Sequence, residues 1–202
     1  MRLSSMKRQE FFNHIAPQWA KNNEKPEEML KIKKIIDLMG IKKGNIVLDA
    51  GCGTGRLIPF ISWKIGHHGR MVELDFSERM LQIASLNHKN KRVHFVLGDV
   101  ILAPFRSKIF DVIICFALFP HLDDKLACLK EFKRVLKAGG TLFVAHPMSR
   151  DALNAYHARV DGPVKGDFLP DEAEMKNLLK AARFRTIKVE DRPSFYLARA
   201  KP

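Results

Sequence analysis

The sequence predicts an α/β protein of doubly wound type, built on a mostly parallel sheet. Two observations lead there. Short apolar runs of strand length alternate with stretches of helical period from residue 26 onward. The first of these runs, Ile46-Val47-Leu48, ends in Asp49 and passes into Gly51-Cys52-Gly53-Thr54-Gly55. That order reads as a buried strand entering a tight glycine turn before a helix. Strands joined through helices lie parallel, with right-handed crossovers.

Residues 1–25 form a polar, partly helical lead-in that carries the aromatic segment Phe11-Phe12-Asn13-His14-Ile15-Ala16-Pro17-Gln18-Trp19. From Pro26 to Met39, apolar Met29, Leu30, Ile32, Ile35, Ile36 and Met39 recur at helical spacing. Pro26 suits a first helical turn and Gly40 a helix stop. Strands are expected at Ile46–Asp49, Arg70–Asp75, Val93–Leu97, Asp111–Cys115 and Thr141–His146. Helices are expected between them at Arg56–Ile65, Ser77–Asn87 and Asp124–Leu136, with Ser77 as an N-cap and Gly139-Gly140 ending the last. Residues 147–170 break this rhythm with Pro147, Gly162, Pro163, Gly166 and Pro170, and read as an inserted lid or substrate segment with a short helix near Asp151–Arg159. A helix at Asp171–Ala182 follows. Two late strands, Thr186–Glu190 and Phe195–Arg199, are joined by a turn short enough to make them antiparallel.

At 202 residues the chain reads as a single domain, 1–202. No apolar run approaches the roughly 20 residues of a membrane span. Met1 to Lys21 lacks the apolar block of a secretory leader, and Cys52, Cys115 and Cys128 lack metal-ligand spacing. A cytoplasmic protein with reduced thiols is expected, and no metal is assigned. Lys and Arg number 35 against 22 acids, a net charge of +13 that favours anionic partners, nucleic acid among them. The basic residues are nevertheless scattered over predicted helices and helix ends, with no aromatic-interleaved basic motif.

Ligands of such sheets sit beyond the carboxyl ends of the strands. Asp49, Asp75, Asp99, Cys115 and His146 all fall at or just past such ends. The glycine spacing Gly51, Gly53, Gly55 is not the G-x-G-x-x-G of dinucleotide sites, and no phosphate-binding G-x-x-x-x-G-K-[ST] is present. Asp49, two residues before Gly51, would repel a pyrophosphate and attract an ammonium or sulfonium group. Asp75 can accept from both hydroxyls of a ribose, beside Phe76 as a stacking ring. Asp99 can accept from an adenine amine, with the Val100 N–H facing a ring nitrogen. The plainer readings are a helix-cap acid at Asp75, a turn acid at Asp99 and a core aromatic at Phe76. Three acids on successive strand ends together describe an adenosyl amino acid.

Several segments in order carry a family resemblance. They are Val47-Leu48-Asp49-Ala50-Gly51-Cys52-Gly53-Thr54-Gly55, Glu73-Leu74-Asp75-Phe76-Ser77-Glu78-Arg79-Met80-Leu81, Gly98-Asp99-Val100, Phe110-Asp111-Val112-Ile113-Ile114 and Phe132 to Gly140. With them the chain resembles the class I S-adenosylmethionine-dependent methyltransferases, over roughly Phe11 to Leu142. The lead-in resembles the segment that folds over the cofactor in small-molecule members such as quinone C-methyltransferases. The resemblance implies a Rossmann-like, seven-stranded sheet with one antiparallel strand. It implies S-adenosyl-L-methionine as cofactor, held by Asp49, Gly51, Gly53, Gly55, Asp75, Phe76, Asp99, Val100 and Cys115. It also implies a small-molecule acceptor: a thiol, an oxygen or an activated carbon. After the fourth strand stands Cys115-Phe116-Ala117-Leu118-Phe119-Pro120-His121, where base-amine methyltransferases carry N-P-P-Y or D-P-P-Y. An RNA methyltransferase and a non-catalytic binder of the same cofactor remain as alternatives. Candidate catalytic groups are His121, His146 and His157, because histidine as a residue type can act as a base near neutral pH; the plainer reading makes them polar lining residues.

Overall fold

The computed structural model describes the backbone of residues 3–23 and 25–202, and side chains over 7–21 and 25–202. Met1, Arg2 and Glu24 of the expected lead-in lie outside the described residues. Seven strands form one sheet: β1 Ile46–Ala50, β2 Arg70–Asp75, β3 Val93–Leu97, β4 Phe110–Phe116, β5 Leu136–His146, β6 Arg185–Arg192 and β7 Phe195–Lys201. Their order is β3-β2-β1-β4-β5-β7-β6. Strands β1 to β5 pair in parallel, and β7 runs antiparallel to both β5 and β6. The strand order reverses between β1 and its two neighbours, β2 and β4, which is where a doubly wound sheet opens a crevice.

Side chains alternate across the sheet and so feed two apolar layers. Leu48 and Ala50 of β1, with Ile113 and Cys115 of β4, face one layer; Val47, Val112, Ile114 and Phe116 face the other. The first layer is closed by α5 Lys125–Val135, α6 Arg150–Arg159 and α7 Glu172–Ala181, through Phe132, Leu153 and Met175 among others. The second is closed by α2 Pro26–Leu38 and α3 Ile58–Ile65, through Ile32, Ile36 and Ile61. Strands buried on both faces read as unbroken apolar runs, which is why they are legible in the chain.

Two helices frame the crevice. Helix α4, Glu78–Asn87, starts after β2, and its cap Ser77 accepts a hydrogen bond from the Met80 N–H at 3.2 Å. Helix α1, Leu3–Asn23, lies against α4. Asn13 of α1 accepts from the Ser77 hydroxyl at 2.7 Å and from the Arg79 N–H at 3.1 Å. The Gln9 amide donates to the Phe76 carbonyl at 2.6 Å. These bonds tie the lead-in to the second strand end.

Three expectations are corrected. The lead-in, expected to be only partly helical, forms one helix from Leu3 to Asn23, with Pro17 inside it. Helix α3 starts at Ile58 rather than Arg56, because residues 51–57 remain in turns. Gly139 and Gly140 do not end a helix: α5 stops at Val135 and both glycines lie within β5. At Gly140 a Cβ would stand 2.7 Å from Leu136 Cδ1 and 3.0 Å from the Asp111 carbonyl, so close strand approach demands glycine there.

Candidate active site

A cavity of about 480 Å³ opens at the carboxyl ends of β1 to β4. Asp49, Gly51, Cys52 and Gly53 line it from the first strand end, and Asp75 and Phe76 from the second. Asp99 and Val100 line it from the third and His121 from the fourth. Arg8, Phe12 and Trp19 of α1 complete the wall. The sequence therefore places three acids on neighbouring strand ends, and the fold turns all three into one space.

Asp49 is 1% exposed, and neither carboxylate oxygen has a hydrogen-bond partner among the described residues. Burial raises its pKa to about 7; the Arg56 guanidinium opposes that shift and Asp75 adds to it. Arg56 lies 4.8 Å over the Phe116 ring and 6.0 Å from the centre of the Trp19 ring, and its pKa is lowered by burial to about 10. Behind Asp49, in register on β2, stands Glu73, fully buried and also without a hydrogen-bonding N or O partner. Burial and then Asp49 push Glu73 well above the usual carboxylate range. A buried carboxylate without a donor is costly. At Asp49, which borders the cavity, a cationic ligand would relieve that cost.

Asp75 is held firmly. Its Oδ2 accepts from the Gly53 N–H and its Oδ1 from the Ser77 N–H, both at 2.8 Å. Burial raises its pKa to about 6 against those backbone bonds. Each carboxylate oxygen can accept again, so the group can still receive a diol from the cavity. Asp99 caps the turn Val100–Leu102 through the Ile101 N–H at 2.9 Å, as the plainer reading expects, and it also borders the cavity.

Other expected residues fall elsewhere. Gly55 (φ +81°) is outside the lining; a Cβ there would meet Ile58 at 2.7 Å and His88 at 3.1 Å, so it serves helix packing. Cys115 is fully buried in the apolar layer, with its thiol pKa raised by burial, and does not border the cavity. Its parity on β4 points it away from the crevice. His146 ends β5 at 9% exposure, outside the lining, with no partner for Nδ1; burial and then Arg56 lower its pKa to about 3. His157, on α6, directs Nδ1 to the Asp167 carbonyl at 2.5 Å.

The cluster around His121 was not legible in the chain. His121 Nδ1 lies 2.7 Å from Asp167 Oδ2. Arg8 donates to both oxygens of that carboxylate, at 2.5 and 2.8 Å. Burial would raise the Asp167 pKa, but His121 and Arg8 outweigh it and hold it at about 2. The His121 ring stands 5.1 Å from that of His157 and 5.6 Å from that of Phe12. Burial lowers the His121 pKa, and Asp167 opposes the shift. Arg8, His121 and Asp167 come from three distant segments, and no spacing announces them.

Fold and cleft together define an α/β protein with a small-ligand cavity at its switch point, bordered by an unpartnered buried carboxylate. Comparison with known proteins extends this. Residues 48–144 match the family described as "Methyltransferase domain". The chain is 31% identical over 182 residues to the demethylmenaquinone methyltransferase of Staphylococcus haemolyticus, spanning 78% of this chain and 75% of that protein. It is 29% identical to that of Staphylococcus carnosus, spanning 89% and 85%. A solved methyltransferase from Aquifex aeolicus superposes with a TM-score of 0.74 at 24% identity, covering 91% of this chain and 97% of that one. The chain belongs to the class I S-adenosylmethionine-dependent methyltransferases. It is an enzyme whose methyl donor is S-adenosylmethionine. Asp49, an orphaned carboxylate at the border of the cavity, fits a cationic donor.

Proposed function

We propose that this protein methylates a reduced quinone or a related hydroxylated aromatic ring, and that the strand-end acids hold the donor. The observation that carries the reading is the unpartnered Asp49 carboxylate in a cavity walled by the aromatic residues Phe12, Trp19 and Phe76. Demethylmenaquinone methyltransferases are among the relatives, and the aromatic wall suits a flat ring. In this reading Asp49 takes the donor's amino-acid end and the Gly51–Gly53 backbone lets it approach. Asp75 takes the ribose hydroxyls, and Phe76, Asp99 and Val100 take the base. Gly55 and Cys115 support the site from behind it.

The donor supplies an activated methyl on a sulfonium. The protein's work is to hold the acceptor in line, with reacting atoms about 3–3.5 Å apart. A dry cleft assists, because the reaction removes positive charge from sulfur. A hydroxylated ring or its carbon also needs a base. His121 fills that role as the one expected histidine that borders the cavity; His146 and His157 shape its surroundings. The segment 1–25 covers the donor, residues 147–170 shape the acceptor side, and the enzyme works in the cytoplasm. The helices are too short or too polar to cross a membrane among the described residues.

The test is a screen of 1,4-naphthohydroquinone, catechols, simple thiols and a short RNA for release of S-adenosylhomocysteine. The naphthohydroquinone is expected to give the highest kcat/KM. Turnover of RNA or thiols alone would overturn the reading.

A further inference from the structure

The His121–Asp167 pair carries an inference that rests on the proposed function and deepens it. Asp167 accepts at Nδ1 of His121, which leaves Nε2 as the ring nitrogen available to the cavity. No hydrogen bond occupies Nε2 among the described residues, and it is not among the buried unpartnered atoms. Asp167 is itself fixed from the other side by the two Arg8 bonds, and its own carbonyl meets His157. The carboxylate is thus clamped by α1 and by the turn Phe119–His121, while His157 of α6 holds the backbone carbonyl of the same residue. Arg8 is also 3.4 Å from Asp123.

We propose that Asp167 is the positioning residue that sets His121 as an Nε2 base, so that the acceptor is a hydroxyl-bearing nucleophile that must lose a proton. An Nδ1–H bonded to a carboxylate stabilises the tautomer with a bare Nε2 and then the imidazolium that forms. The acceptor O–H passes its proton to Nε2. The electron pair released attacks the methyl carbon, from oxygen directly or through the ring carbon it activates. The carbon–sulfur bond breaks with its pair left on sulfur, and methylation at carbon ends with loss of the ring C–H proton to solvent. After oxygen methylation His121 returns its proton to solvent; after carbon methylation it returns it to the product phenolate oxygen, so one proton is released in either case. A preformed thiolate would need none of this apparatus.

Every charged or titratable neighbour enters the pH behaviour. Asp167 raises the His121 pKa, whereas burial, His157 and Arg8 lower it. His146 also couples to the ring, and Lys125 and Asp123 act on Asp167 and Arg8. The two substitutions with opposite expected signs form the test. Asp167→Asn removes the negative charge, so the His121 pKa falls and the acidic limb of kcat moves to lower pH. The plateau drops at least about tenfold, part of the 10²–10⁴ that a positioned base contributes. Arg8→Gln moves the same limb to higher pH. Asp167→Glu restores part of the rate.

The same pKa shifts are read without any acceptor by NMR titration of the His121 ring, with donor binding checked by calorimetry in each variant. Opposite shifts in the two variants support the inference. Unmoved limbs and an unmoved ring titration, with folding and donor binding intact, overturn it even if naphthohydroquinone is methylated. Failure of naphthohydroquinone turnover with the ring shifts present counts against the acceptor reading instead.

Discussion

Asp49 shows how a single side chain trades stability for ligand affinity. In the unfolded chain its pKa is about 3.9; in the fold, burial lifts it to about 7. A raised folded pKa means that the native state binds more protons between those values. Stability from this group is therefore complete below about pH 4 and is lost as pH rises through about 7. A cationic donor reverses the sign, since it needs the carboxylate ionised. Asp49→Asn is expected to raise the melting temperature of the ligand-free protein at pH 8 and to weaken donor binding at least about tenfold. In the native enzyme donor affinity should fall as pH drops below 7. Melting curves and calorimetry at pH 6 and 8 check both, and equal affinity at the two pH values would contradict the assignment. Asp75 was legible for the opposite reason. It ends an apolar strand and precedes the cap Ser77, and the Gly53 N–H holds it in place. Asp167 was not legible, because its meaning depends on partners 46 and 159 positions away in the chain.

At the scale of the element, the loop from β1 into α3 sets the floor of the cleft. Gly51 has φ +72°, and a Cβ there would lie 2.7 Å from Leu118. Gly51→Ala forces an ordinary residue into the left-handed region, at about 1–2 kcal/mol. Leu118 would also be displaced on the acceptor side. The expected result is a melting temperature lower by a few degrees together with weaker donor binding. A variant with unchanged melting and affinity would remove the loop from the account. Strand positions were readable because β1 and β4 are buried on both sides and carry the apolar runs 46–48 and 112–116, whereas in β2 the run is interrupted by Glu73. Helix ends were less so. Gly139-Gly140 looked like a stop signal in isolation, yet both lie within β5, and Gly140 serves its packing on β4. A glycine reports freedom or closeness, and only the neighbouring strand says which.

At the scale of the whole molecule, the +13 charge has to be weighed against the shape of the cleft. Many basic side chains are already engaged locally, as in Lys31–Glu28, Lys33–Asp37 and Lys176–Glu172. The cleft itself is walled by Arg8, Phe12 and Trp19 of α1, which narrows access for a polymer. The parallel sheet and its switch point were inferable from alternation alone, since that pattern permits few topologies. The placement of α1 and of residues 147–170 was not, because their contacts are tertiary and leave no period in the chain.

The central claim is that one cleft holds S-adenosylmethionine on neighbouring strand-end carboxylates. Isothermal titration of the full chain with this donor tests it most directly, with Asp75→Ala titrated alongside. The account predicts one site per chain, with affinity at least about tenfold weaker in Asp75→Ala, in line with the 1.5–3 kcal/mol of a charged hydrogen bond. No heat from S-adenosylmethionine, or equal affinity in the two proteins, would contradict it.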